Sequence, residues 1–124
     1  MSDPIELGLS HVALPTRDIA RSVTFYRAFG MAPKFCKRDG SGDIILQQLS
    51  CAAGFVELVK TSETAPAPDA HFGLHAPDLA PVLEHLTRAG ITPTTPVRRG
   101  ISGVDFVFFR DPSGNLVELT APIK

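Results

Sequence analysis

Two nine-residue stretches, HVALPTRDI at 11–19 and HFGLHAPDL at 71–79, decide the fold of this 124-residue chain. Each opens on a histidine, runs through alternating apolar positions and reaches an Asp seven residues later. His71 follows His11 by 60 positions, and the same offset links Asp78 to Asp18, Gly90 to Gly30 and Pro93 to Pro33. Further along, FVEL with Glu57 matches LVEL with Glu118 at an offset of 61, which needs one inserted residue. A fixed offset sustained over this length marks an internal repeat, and a repeat constrains the fold before any local assignment. Each half therefore carries one early His and one late Glu.

The period of the apolar pattern changes in the same order in both halves. LGLSHVAL reads as a strand, followed by Asp18 as N-cap of a helix with Ile19, Val23, Tyr26 and Phe29 inward, stopped by Gly30. Strands are expected around 33–38, 43–49 and 53–60, with DGSGD as the Gly/Asp turn between the first two. The second half gives a strand at 70–76 and a helix capped by Asp78 with Leu79, Val82, Leu83 and Leu86 inward. Strands near 93–98, 103–110 and 115–120 follow, and Pro81 falls in the first helical turn, where it is tolerated. TSETAPAPD reads as a linker over about 61–69, between a module at about 5–60 and another at about 70–122. A single module would leave one sheet face bare. The expectation is one α+β domain over 1–124, its two βαβββ modules joining their mixed sheets into a cupped, incomplete barrel.

Composition narrows the function. A net charge of -1 supplies no global field for nucleic acid or an anionic membrane. No apolar run approaches the roughly 18 residues of a membrane span, and MSDPIELG lacks the regions of a signal peptide, so a cytoplasmic protein is expected. Cys36 and Cys51 show no CxxC spacing and read as reduced, packed thiols.

Strand alternation places Glu57 on one face with Phe55 and Val59, and Glu118 between Leu116 and Thr120. Burying an unpaired carboxylate costs several kcal/mol, roughly, unless a cation or strong donors compensate. Two carboxylates at equivalent places ask for a common cation. His11 and His71 occupy equivalent strands, and the pseudosymmetry is expected to bring both pairs toward one axis. Two imidazoles and two carboxylates suit Zn, Ni, Mn or Fe as the divalent metal ion, with positions left for water or substrate oxygens.

These modules, with HVALPTRDIARSVTFYRAFG, FVELVK, HFGLHAPDL and FRDPSGNLVEL, resemble the vicinal oxygen chelate superfamily over nearly the whole chain. That superfamily includes glyoxalase I, fosfomycin-resistance proteins, extradiol dioxygenases and bleomycin-binding proteins. The resemblance implies that His11, Glu57, His71 and Glu118 are metal ligands. It further implies a metal acting as Lewis acid on a substrate held through two oxygens, with an enediolate or similar oxyanion stabilised. In glyoxalase I-like members a metal-bound glutamate detaches to carry the proton, a role open here to Glu118 or Glu57. A homodimer, sometimes with each metal shared between chains, is implied as well.

Other residues extend the site. His75 lies four positions beyond His71 on the same strand face, and its counterpart is Pro15; it is a candidate acid/base or substrate-binding group. Arg98 and Arg99, in the glycine-flanked VRRGISG, are candidates for an anionic substrate, against the alternative of a solvated pair. Arg110 either pairs within the fold or projects to the cup. Phe55, Phe106 and Phe108 are candidate lining, although packing is the commoner role of such residues. DPSG at 111–114 reads as a turn, Tyr26 as core and His85 as surface.

The leading reading is a metal-dependent enzyme of the glyoxalase type acting on a small substrate by proton transfer or isomerisation. The alternatives are a dioxygenase or epimerase on the same fold, or a non-catalytic drug- or metabolite-binding protein. DPSGN in place of a DPDGY-type turn, and the lack of longer insertions, count against glyoxalase I itself. Extradiol dioxygenases use two His and one Glu, which would leave Glu57 surplus.

Overall fold

The computed structural model describes residues 10–52, 54–62, 70–100 and 103–123. Module 1 comprises β1 (His11–Thr16), α1 (Ile19–Ala28), β2 (Ala32–Arg38), β3 (Ile44–Cys51) and β4 (Gly54–Lys60). Module 2 repeats the order with β5 (His71–His75), α2 (Leu79–Arg88), β6 (Arg98–Arg99), β7 (Val104–Arg110) and β8 (Leu116–Pro122). The sheets have strand orders β1-β4-β3-β2 and β5-β8-β7-β6. In each, the first strand pairs parallel with the last and the remaining pairs are antiparallel. The fold is thus α+β, two βαβββ modules with mixed four-stranded sheets, and no closed barrel forms among the described residues. Most of the expected linker, 63–69, and the first part of the expected strand LGLSHVAL lie outside the described residues, as do Ile101 and Ser102 of VRRGISG.

The helices begin where the caps require. Asp18 is extended, and its side chain accepts from the Arg21 amide at 3.1 Å, satisfying one of the helix's unpaired N–H groups. Asp78 occupies the equivalent place but makes no side-chain cap bond. The strand expected at 93–98 is the element that differs most, shrinking to Arg98–Arg99. Pro93 and Pro96 have no N–H to give a ladder. The segment still docks on β7: the Thr94 amide donates to the Phe108 carbonyl at 2.8 Å, and Thr95 Oγ1 accepts from the Phe108 amide at 3.1 Å. A threonine hydroxyl replaces the backbone acceptor a strand would use.

One apolar core joins the modules, and it lies on the helix-bearing sides of both sheets. Leu14, Val56 and Leu58 point into it from sheet 1; Val107, Phe109, Val117 and Leu119 do so from sheet 2. Helix α1 sits between them, with Tyr26 against Phe72 at a centroid distance of 6.2 Å and Phe29 edge-on to Phe109 at 5.5 Å. Because strand side chains alternate, the opposite sheet faces look away from this core, and they carry the His and Glu residues. Edge strand β2 is exposed throughout. Cys36 on β2 and Cys51 at the end of β3 are both exposed, so neither is the packed thiol the sequence suggested.

The turn at 110–115 ties the modules together. Asp111 Oδ1 accepts from the Ser113 and Asn115 amides, and Oδ2 accepts from Asn115 Nδ2 at 2.8 Å and from the Tyr26 hydroxyl at 2.7 Å. Asn115 Nδ2 also donates to the Pro15 carbonyl, and Ser113 Oγ accepts from the Arg17 amide. Gly114 has φ +87, a backbone state that L side chains disfavour. The segment is a turn, as read, and also a clasp on the end of β1 and on α1.

Candidate metal-binding face

In module 1, parallel pairing sets His11 opposite Phe55 and Ala13 opposite Glu57. In module 2, it sets His71 opposite Leu116 and Gly73 opposite Glu118. Each Glu is therefore one diagonal step from its His on the outward face. The outcome is the same twice: His11 Nε2 is 3.8 Å from Glu57 Oε2, and His71 Nε2 is 3.8 Å from Glu118 Oε1. Exposure is also matched, with the histidines at 38% and 40% and the glutamates at 18% and 25%. Gly54 eases the first pair: a Cβ there would sit 3.0 Å from the Ser10 carbonyl oxygen, a tight contact that a small backbone shift would have to relieve.

Within one chain the four donors stand as two pairs, and whether the pairs meet in one subunit or across two is a question the spacing left open. Among the described residues no three His, Cys, Asp or Glu side chains gather to hold one ion. Strand register fixes each pair locally, whereas convergence depends on how the modules pack, and they pack through the helix sides.

Each pair offers one imidazole nitrogen and one carboxylate oxygen, donor types that a divalent ion takes. At 3.8 Å the ring nitrogen and carboxylate oxygen are too far apart for a hydrogen bond. Two bonds of about 2.0–2.2 Å at a tetrahedral angle set their donors about 3.4 Å apart, a little closer than either pair stands here. Both pairs are supported from behind. Ser10 Oγ lies 2.9 Å from His11 Nδ1, which leaves Nε2 toward Glu57, the outer-sphere arrangement that orients an imidazole ligand. Phe55 stacks on His11 at 4.7 Å and 8°. Phe108 meets His71 edge-on at 5.3 Å and 88°.

The pairs differ in one respect. Gln48, opposite Glu57 on β3, donates from Nε2 to Glu57 Oε1 at 3.0 Å. Its counterpart in module 2, opposite Glu118, is Phe108. Glu118 accepts no hydrogen bond from a described residue, while Glu57 is held.

The remaining sequence candidates separate. His75 shares the outward face of β5 with His71; its Nδ1 lies 2.9 Å from Thr120 Oγ1. Arg99 reaches Asp105 at 3.4 Å and Arg110 donates to the Gly114 carbonyl at 2.9 Å, both at exposed positions. Arg98 is exposed opposite Phe106, and Phe106 packs edge-on to Phe108 at 5.7 Å. His85 is exposed, yet its Nε2 lies 2.9 Å from the Ala28 carbonyl at the end of α1. A groove of about 850 Å³ is lined by residues of both modules, with His11, Phe55, His75 and His85 on a mostly apolar wall that includes Phe29 and Met31. Ser10, Lys34 and Gln48 were absent from the sequence candidates. Gln48 was within reach of strand parity, since it precedes Phe108 by the repeat offset of 60.

The duplicated geometry has a family. The model of the Glyoxalase/Bleomycin resistance protein/Dioxygenase superfamily matches residues 8–119. The chain belongs to that superfamily. Solved structures agree at the level of fold. Fosfomycin resistance protein FosX from Listeria monocytogenes superposes with a TM-score of 0.79 at 18% identity, covering 96% of this chain and 95% of that one. TioX from Micromonospora sp. ML1 gives 0.74 at 23% identity, covering 94% and 99%. Lactoylglutathione lyase from Agrobacterium tumefaciens gives 0.71 at 24% identity, covering 94% and 95%. No curated protein sequence matches the chain.

Proposed function

We propose that this superfamily member is a metal-dependent enzyme of the glyoxalase type, active as a two-fold homodimer. His11 and Glu57 of one copy and His71 and Glu118 of a second would hold one Zn, Ni, Mn or Fe ion. The observation that carries the reading is the pair of equivalent His–Glu contacts at 3.8 Å, each offering half of a four-donor set on an outward face. A two-fold axis makes the two halves meet reciprocally, giving two identical sites per dimer. The FosX structure, similar in fold, was solved with Mn(II) and a dihydroxypropylphosphonic acid.

The substrate in this reading is a small molecule with two adjacent oxygens, and the reaction is proton transfer between neighbouring carbons. When bound, the metal supplies Lewis-acid stabilisation of the negative charge that grows on those oxygens. The protein supplies the rest. Ser10 and Phe55 fix the His11 ring, and Gln48 fixes Glu57 as a stationary carboxylate. Glu118, which accepts no hydrogen bond from a described residue, is the carboxylate this reading has turn and carry the proton. His75, bonded to Thr120 on the same face, is placed as a second polar contact for the substrate.

The test is metal analysis of purified protein, thermal stabilisation by added divalent ions, and a turnover screen of 2-oxoaldehyde hemithioacetals, catechols and acyl thioesters. Near-stoichiometric metal, lost in Glu118→Gln together with turnover, is expected. Protein without a bound or stabilising ion, with Glu118→Gln matching wild type, overturns the reading. The apolar groove of about 850 Å³ favours one alternative, a non-catalytic drug- or metabolite-binding protein; tight ligand binding that is indifferent to chelators would select it.

A further inference from the structure

The outward face of sheet 1 continues beyond the His11–Glu57 pair. Phe55 has His11 on its β1 side, stacked at 4.7 Å, and Lys34 on its β2 side, with Nζ 4.5 Å from the ring centroid. Strand order β1-β4-β3-β2 puts the imidazole and the ammonium on opposite sides of the ring. Phe55 thus bridges from a proposed metal ligand to a cation in two contact steps. Lys34 reaches over β3 to make this contact, since β3 lies between β2 and β4 in the sheet.

Its charge is available. Among the described residues no carboxylate lies within ion-pair distance of Lys34, in contrast to Lys60, which faces Asp43 at 4.0 Å, and Arg99, which faces Asp105. Lys37, opposite Leu46, joins the same face farther along β2. The sole carboxylate that β1, β3 or β4 contributes to this face is Glu57, which Gln48 and His11 already engage. An aromatic ring under an ammonium holds the charge in place without neutralising it, leaving the N–H donors to a ligand.

We infer that Lys34 and Phe55 form a specificity subsite for an anionic group on the substrate, a carboxylate or phosphonate set about one aromatic ring's breadth from the two chelating oxygens. The inference rests on the metal reading above and adds the substrate's charge to it. It adds a cation of the opposite module to the sequence candidates Arg98, Arg99 and Arg110, of which Arg99 and Arg110 already have partners within the fold.

Two probes that differ by one charged group test it: catechol and 3,4-dihydroxybenzoate, titrated calorimetrically into the protein loaded in turn with Mn(II), Zn(II), Ni(II) or Fe(II). The quantity read is the ratio of the two affinities in wild type and in Lys34→Gln. The probes' own difference as chelators cancels between the variants, as in any double-mutant comparison. An exposed ion pair of ordinary strength predicts that Lys34→Gln lowers the preference for 3,4-dihydroxybenzoate about fivefold, and that salt erodes it in wild type alone. Lys34→Arg should retain it, because a guanidinium also stacks on an aromatic face. An equal ratio in wild type and Lys34→Gln overturns the subsite while leaving the metal reading intact. If metal-loaded protein binds neither probe, the metal reading falls and the subsite with it.

Discussion

Tyr26 is the chain's single tyrosine and is fully buried, its hydroxyl donating to Asp111 across the module boundary at 2.7 Å. Burial disfavours the phenolate, and the neighbouring Asp111 charge and the hydrogen bond add to it, so the phenol's pKa is pushed far upward. The sign follows from linkage: a folded pKa above the unfolded one gives stability that is complete below about pH 10 and declines as pH rises past it. Phenolate absorbance should therefore stay silent as pH is raised and appear only with unfolding. A titration in folded protein near pH 10 contradicts this burial. Tyr26→Phe should lose roughly 1.5–3 kcal/mol, the value of a hydrogen bond to a charged group, and flatten the alkaline fall in stability. Gln48 belongs to the same scale. Replacing it with Leu removes the donor that fixes Glu57 and should weaken divalent-ion binding about tenfold with little change in melting temperature; unchanged affinity would show that Glu57 needs no such support.

Two turns of this chain have nearly one sequence, RDGSGD at 38–43 and RDPSGN at 110–115, and one hydrogen-bond scheme. In each the Asp side chain accepts from the amides two and four residues on, the Arg donates to the Gly carbonyl, and the glycine has positive φ. They connect β2 to β3 and β7 to β8, so they are not repeat equivalents. Their surroundings differ: Asp39 is exposed, whereas Asp111 is 4% exposed and also takes Tyr26 and Asn115. Hydrogen bonds to a buried charge are costly to lose, those of a solvated turn are not. Asp111→Ala should destabilise by roughly 3 kcal/mol or more, and Asp39→Ala should melt close to wild type. Equal losses in thermal or urea unfolding would refute the clasp. The sequence revealed both as turns because Gly, Asp and Ser report local backbone needs. It did not reveal the clasp, whose partners Pro15, Arg17 and Tyr26 lie some hundred residues away. The overextended reading of 93–98 has the opposite cause: the repeat called for a strand there, and two prolines without N–H groups prevented it.

At the scale of the molecule, the repeat made both His–Glu pairs legible, because strand parity and parallel register are local consequences of sequence. The way two modules pack is not written in either of them. Here the helix sides meet and the donor faces turn outward, and among the described residues the four donors stand as two separate pairs; the proposed site joins them across two chains. The proposed homodimer predicts complementation. A chain with His11→Ala and Glu57→Gln, and another with His71→Ala and Glu118→Gln, should each bind no tight metal as homodimers, since every shared site then lacks one pair. When equal amounts are unfolded and refolded together, about half the dimers contain one chain of each kind. In such a dimer one site has lost all four donors and the other keeps all four. The mixture should then recover about a quarter of the wild-type metal capacity, with turnover in the same proportion. Recovery would have to vanish if the chains were refolded separately and combined under conditions where dimers do not exchange. A mixture that binds no more metal than its components would place the ligands otherwise, and the two 3.8 Å pairs would be ordinary surface contacts of a binding protein.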